Sequence, residues 1–120
     1  MTTTDPAVSI VVPVRNEAGN IAPLVEEIAA ALDGQWPFEV VYVNDGSNDT
    51  TDDELRSLMA RYPWLRRVRH KQSCGQSAAV RSGVTAARAP LVVTLDGDGQ
   101  NDPAFIPALI HALEAGAPRT

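Results

Sequence analysis

The 120-residue chain has a single cysteine, Cys74. One cysteine excludes an internal disulfide framework and fits a reducing compartment, so the cytoplasm, or the cytoplasmic face of a membrane, is the expected location. Histidine is also scarce. His70 and Cys74 stand too isolated for a metal pair or a nucleophilic dyad, and His111 falls on the last helix; none is given a role. Basic residues are outnumbered, 10 Lys and Arg against 15 Asp and Glu for a net charge of −5, which argues against nucleic acid as a partner. No apolar run approaches the roughly 18 residues of a membrane span, and the opening MTTTDPAVS lacks a basic stretch followed by an apolar one. Residues 1–7 read as a disordered leader. Nor does a G-x-G-x-x-G follow the first apolar run, where VVPVRNEAGN stands instead, so a dinucleotide-dependent dehydrogenase is excluded.

What is present is one small domain, 44% hydrophobic, in which β-branched runs alternate with amphipathic segments. That alternation predicts repeated strand–helix units and a parallel sheet. The strands fall at Val8 to Val14, Phe38 to Asn44, Leu65 to His70 and Leu91 to Leu95; Arg66, Arg67 and Arg69 put the third at an edge. The first helix buries Ile21, Leu24, Val25, Ile28 and Leu32, with Asn20 as its cap. The second starts near Thr51, which forms a capping box with Glu54, turns Leu55, Leu58, Met59 and Tyr62 inward, and stops at Pro63. The third, Gln76 to Arg88, is Ala-rich, and its Ser82 and Gly83 point to close packing on the sheet. The fourth is capped by Asp102, carries Pro103 in its first turn, and buries Ile106, Leu109, Ile110 and Leu113.

In an open parallel sheet, ligands bind outside the carboxyl ends of the strands, where helix N-termini converge. Those ends read Pro13-Val14-Arg15-Asn16-Glu17, Asn44-Asp45-Gly46-Ser47, His70 to Gly75, and Asp96-Gly97-Asp98-Gly99-Gln100. Three of the four carry carboxylates. Aspartates flanked by glycines can offer oxygen ligands to a hard cation while a diphosphate comes close, although Asp-Gly is equally a common turn. An EF-hand fails, because Pro107 occupies the twelfth loop position where a bidentate Glu is needed.

The segments VSIVVPVRNEAGNI, VVYVNDGSNDTT, GQSAAVRSGVTAA and LVVTLDGDGQNDP together resemble, in order and spacing, the family-2 glycosyltransferases of the GT-A fold. The last looks like the DAD-x-Q-x-x-P ending of dolichyl- and polyprenyl-phosphate sugar transferases, with Gly97 in place of the usual alanine, a small-for-small change that should keep the backbone path. The resemblance implies a Rossmann-like α/β three-layer sandwich with a mainly parallel sheet over residues 8–120. It implies that Pro13, Arg15 and Glu17 lie along a nucleotide-sugar, that Asn44 and Asp45 face its base, and that Asp96 and Gly97 meet its ribose or diphosphate. Asp96 and Asp98 become the catalytic pair, with Asp98 and Gln100 as ligands of Mg²⁺ or Mn²⁺. Asn44 replaces an acid common in relatives, which leaves the choice of base open between GDP- and UDP-sugars. Asp49-Thr50-Thr51 lacks a glycine common there.

The implied activity is inverting transfer of a hexose from a nucleoside diphosphate to a polyprenyl or dolichyl phosphate, the cation neutralising the leaving group. In relatives the acceptor elements follow the Asp-x-Asp loop, so the chain is expected to be truncated and inactive alone. The alternative is a nucleotide-binding module without turnover. Lys71 and Arg81 are expected to be solvated. Sugar nucleotidylyltransferases are set aside, because their glycine-rich first loop is missing.

Overall fold

The computed structural model describes residues 5–97 and 102–114. Four strands alternate with four helices among them: β1 (Val8–Val14), α1 (Ile21–Leu32), β2 (Phe38–Asp45), α2 (Thr51–Arg61), β3 (Leu65–His70), α3 (Gln76–Ala86), β4 (Leu91–Thr94) and α4 (Phe105–Glu114). The strands form one parallel sheet in the order β3-β2-β1-β4. The β-branched runs of β1 and β2 occupy its centre, where both faces are covered, as expected for apolar strands of a parallel sheet. Alternate residues then serve different layers. Ile10, Val12, Val40 and Tyr42 pack with α1, α2 and α4, while Val11, Val41 and Val43 meet Ala79 of α3 on the other face. The result is the expected three-layer α/β sandwich.

β3 lies at the edge, and two of its three arginines are paired there, Arg66 with Glu39 and Arg67 with Asp52, each at 2.7 Å, while Arg69 is exposed. Ala7, at the end of the expected leader, donates its N–H to Pro37 O and packs on the core. No helix among the described residues is long and apolar enough to cross a membrane.

α3 approaches the sheet closely because of Gly83, where a Cβ would run into Val11 Cγ1 and come within 3.0 Å of Val43 Cγ2. Both valines are fully buried and have no room to retreat. Gly83→Val should therefore lower the unfolding free energy by about 1–3 kcal/mol through overpacking, read as a lower midpoint in urea; an unchanged midpoint would show that α3 can ride up without loss.

The helix caps differ from expectation. Asn20 makes no side-chain cap bond, and its amide instead donates to Glu17 Oε1. Thr51 and Glu54 do not form a capping box. Asp49 accepts the Thr51 N–H and hydroxyl, which leaves the Glu54 carboxylate to Gly19 N and Thr50 Oγ1. α3 ends at Ala86, and α4 begins at Phe105, after a turn in which Asp102 Oδ1 accepts the Ala104 N–H. Ile106 and Ile110 are buried as expected, but Leu109 and Leu113 are 38% and 39% exposed. They lie about 100° round the helix from the buried line, on an outward stripe with Phe105.

Candidate functional site

The chain crosses from one edge of the sheet to the other between β3 and β4, so strand order reverses at the β1–β4 junction. Such a switch point opens a crevice at the strand carboxyl ends. A cleft of about 400 Å³ lies there. β1 and the turn after it contribute Pro13, Val14, Arg15 and Glu17; β2 contributes Asp45; Asp96 and Gly97 follow β4. The far wall is Ser73, Gly75 and Gln76, from the β3–α3 loop and the start of α3, with Ala79 on the α3 face.

Two loops are stitched together to hold the β1 side. Asn16 N donates to Ser47 Oγ and Asn48 N to Asn16 Oδ1, while Glu17 N donates to Thr51 Oγ1 and Ala18 N to Asp49 Oδ2. Asn16 adopts φ 55° to make this reversal, a conformation that asparagine tolerates better than most residues. The acids and hydroxyls of NDGSNDTT thus build the site's scaffold, and hydrogen bonds with Thr51 hold the Asp49 carboxyl below its usual range.

Asp45 is 5% exposed and is the hub of the far wall. Its Oδ1 accepts from Cys74 N and His70 Nδ1, both at 2.8 Å, and its Oδ2 from Ser73 Oγ at 2.9 Å and Gly75 N at 3.0 Å. A carboxylate has about four lone-pair sites, so all are engaged. Burial alone would raise its pKa, but the bonds from Cys74, His70, Ser73 and Gly75 outweigh it and hold the group at about 2. Because the carboxylate only accepts, His70 Nδ1 carries a proton toward it, and Nε2 lies 2.8 Å from Ser82 Oγ. Gly46, at φ 69°, permits this loop: a Cβ there would collide with Ser73 N and stand 2.5 Å from the Gln72 carbonyl carbon.

The remaining expected residues divide. Asn44 is 1% exposed and turns toward α2, donating to Asp52 Oδ1 and accepting from Ser47 N, so it organises the turn rather than lining the cleft. Asp96 is exposed at the rim, where Gln76 Nε2 donates to it at 3.4 Å. Gly97 is more than a small-for-small change. A Cβ at that position would clash with Val14 Cγ1 and lie 2.9 Å from Pro13 O, so the ends of β1 and β4 meet more closely than alanine allows. Asp98 and Gln100 lie outside the described residues. Lys71 and Arg81 are exposed, as expected. His70 and Cys74, given no role from the sequence, stand together round Asp45.

Asp96 gives the rim a solvent-facing carboxylate beside a floor cleared by Gly97, and this hard oxygen donor fits Mg²⁺ or Mn²⁺. Among the lining residues Glu17, Asp45 and Asp96 are acidic, and Arg15 is the one cation.

The chain matches the profile of glycosyl transferase family 2 over residues 9–118. It is 42% identical over 109 residues to dodecaprenyl-phosphate galacturonate synthase of Rhizobium johnstonii, covering 88% of this chain and 32% of that protein. It is 36% identical over 110 residues to dolichol-phosphate mannosyltransferase of Pyrococcus furiosus, covering 92% and 31%. Among solved structures, a mannosyltransferase of Pyrobaculum calidifontis in complex with GDP-Man and Mn²⁺ superposes with TM-score 0.78 at 27% identity, over 98% of this chain and 34% of that one. The chain spans about a third of the length of these relatives. With the sheet order, the switch-point cleft and the matched motifs in agreement, the chain belongs to glycosyl transferase family 2.

Proposed function

We propose that the cleft binds a GDP- or UDP-sugar, and that the chain is the donor-binding part of an inverting transferase acting on a polyprenyl or dolichyl phosphate. The observation that carries this reading is the convergence of Arg15, Glu17, Asp45 and Asp96 from three strand ends on one switch-point cleft. Relatives named for transfer to dodecaprenyl and dolichol phosphates, and a neighbour solved with GDP-Man, support it.

In this reading the base lies against the wall built on Asp45. It donates to Asp45 Oδ2 in place of the Ser73 hydroxyl, the one donor of the four that can rotate away without moving backbone or ring. Pro13, Arg15 and Glu17 follow the nucleotide, and the Arg15 guanidinium offers paired donors to phosphate oxygens. Asp96, with Asp98 and Gln100, would hold a divalent cation whose charge offsets that of the departing diphosphate. A phosphate monoester has its second pKa at about 6, so the acceptor is already anionic near neutral pH and needs no general base. Its oxygen attacks the anomeric carbon from the face opposite the diphosphate, the old C–O bond breaks, and the centre inverts.

Titration calorimetry with UDP and GDP tests the donor site. Affinity should be at least about tenfold higher with Mg²⁺ or Mn²⁺ than with excess chelator, matching the loss of an interaction worth about 1.5–3 kcal/mol. Asp98→Ala should abolish that difference. Equal binding with and without metal would remove the cation from the reading.

A further inference from the structure

The strand register sets Asp45 directly beside His70 at the ends of β2 and β3, and the loop that follows brings Cys74 back over both. One ligand atom from each of these residues lies within 4.8 Å of the other two. We propose that Asp45, His70 and Cys74 form a binding site for a thiophilic divalent cation, Zn²⁺ above all, in the wall of the cleft.

Zn²⁺ is held at about 2.0–2.2 Å by imidazole nitrogen and carboxylate oxygen and at about 2.3 Å by thiolate sulfur, usually in tetrahedral geometry. Ligand atoms round such an ion stand roughly 3.3–3.7 Å apart, as follows from those bond lengths and the tetrahedral angle. Asp45 Oδ1 and His70 Nδ1, at 2.8 Å, need only part slightly to admit the ion. Cys74 is exposed, and its thiol makes only a weak 3.4 Å contact with Gln72 O, so it can turn inward at little cost.

The groups behind these ligands are already arranged as a metal site requires. A ligating histidine normally has its other nitrogen held by a polar partner that fixes the ring. His70 Nε2 has one in Ser82 Oγ at 2.8 Å. Ser73 Oγ and Gly75 N hold Asp45 Oδ2, which leaves Oδ1 toward His70 Nδ1 and the Cys74 N–H. On coordination the Cys74 thiol gives up its proton to solvent. The ion takes the place of the proton on His70 Nδ1, and the ring carries its proton on Nε2 instead, exchanged through solvent, where it donates to the Ser82 hydroxyl. Water or Ser73 Oγ completes the fourth position.

The mixed oxygen, nitrogen and sulfur set favours Zn²⁺ over Mg²⁺, whereas the oxygen donors of the Asp96 rim favour the reverse. Two cations therefore sort by softness on opposite sides of one cleft. If the donor-site reading above holds, Zn²⁺ also competes with the nucleotide, because it neutralises Asp45 and pins the loop bearing Ser73.

Co²⁺ is the probe, added to the purified chain with a non-thiol reductant. One equivalent should give a near-ultraviolet thiolate-to-cobalt band with tetrahedral visible bands. Stoichiometric Zn²⁺ should erase them, and excess Mg²⁺ should not. Cys74→Ser should lose the near-ultraviolet band, His70→Ala should bind at least tenfold more weakly, and Ser82→Ala should lose on the order of 10–100-fold in affinity. His111→Ala should match wild type. An absent band, or one unmoved by both His70→Ala and Ser82→Ala, overturns the site, the second result meaning that a lone thiol binds. UDP or GDP titration with and without Zn²⁺ separates the two readings. Cobalt bands with nucleotide affinity unmoved by Zn²⁺ would support the cation site and refute its competition with the nucleotide.

Discussion

Asp45→Ala should abolish measurable nucleotide binding and lower the unfolding free energy by about 3 kcal/mol, the scale of losing one or two charge-assisted hydrogen bonds outright. The carboxylate accepts four bonds, but their sum is not the expected loss, because the Cys74 and Gly75 amides lie in an exposed loop and can turn to water. The loss concentrates on His70, the last residue of β3, whose side chain is 16% exposed and keeps only Ser82 of α3 as a partner. Asp45→Asn is nearly as severe for binding: the amide nitrogen must face a donor on one side or the other. The sign of the pH effect follows from a carboxyl at about 2 in the fold against an ordinary 3.8. Its contribution is complete above about pH 5 and disappears as pH falls from about 4 to about 2. Urea denaturation across that range checks the second claim and calorimetry the first. Unchanged stability together with unchanged affinity would return Asp45 to a simple turn.

The fold was legible because the signals that set it are local. Nearly continuous apolar runs at Val8 to Val14 and Phe38 to Asn44 marked strands covered on both faces, and three arginines in one short run marked an edge. Caps were not legible. Asn20 and Thr51 have the right chemistry beside the right helices, yet Glu17 and Asp49, brought in by the two stitched loops, claim their side chains first. Periodicity likewise gave α4 an apolar stripe without showing how far its neighbours reach round it, so Leu109 and Leu113 were expected inside. At the site, the strand-end rule found Asp45 and Asp96 but could not separate Asn44 from Asp45. Adjacent residues on a strand point to opposite faces, and only the register decides which one turns to the cleft. His70 was missed for the same reason. It lies 25 residues from Asp45 in sequence and beside it in the sheet, a pairing that aligning the predicted ends of neighbouring parallel strands would have exposed.

Glu39→Ala should lower the unfolding free energy by about 3 kcal/mol, the low end for breaking a buried ion pair from one side, because the Arg66 side chain is still 29% exposed, and weaken nucleotide binding from the wrong end of the sheet. Glu39 is 4% exposed at the start of β2, about 20 Å along the strand from Asp45 at roughly 3.3 Å per residue. It accepts from Ser9 Oγ at 2.6 Å and from Arg66 Nη1 and Arg88 N at 2.7 Å. Arg66 also donates to Ala86 O, and Ala89 N donates to Ser9 Oγ. One carboxylate therefore ties β1, β2, β3 and the turn from α3 into β4. Burial would push its pKa up, but the bonds from Ser9, Arg88 and Arg66 outweigh that and hold it below the usual range, so its contribution too fades as the solution is acidified. The consequence for the cleft runs through β4, an edge strand paired with β1 from Leu91 to Thr94. Once the turn before it is untied, β4 can shift against β1, and Asp96 and Gly97 at its far end shift with it. Glu39→Gln separates charge from shape: its oxygen can keep one donor, while its nitrogen opposes either Arg66 or the Arg88 amide, so its stability should fall between wild type and alanine. Hydrogen exchange of the Val92 to Leu95 amides reports β4 directly. Faster exchange there with nucleotide affinity unchanged would show that the rim holds its place without the strand beneath it.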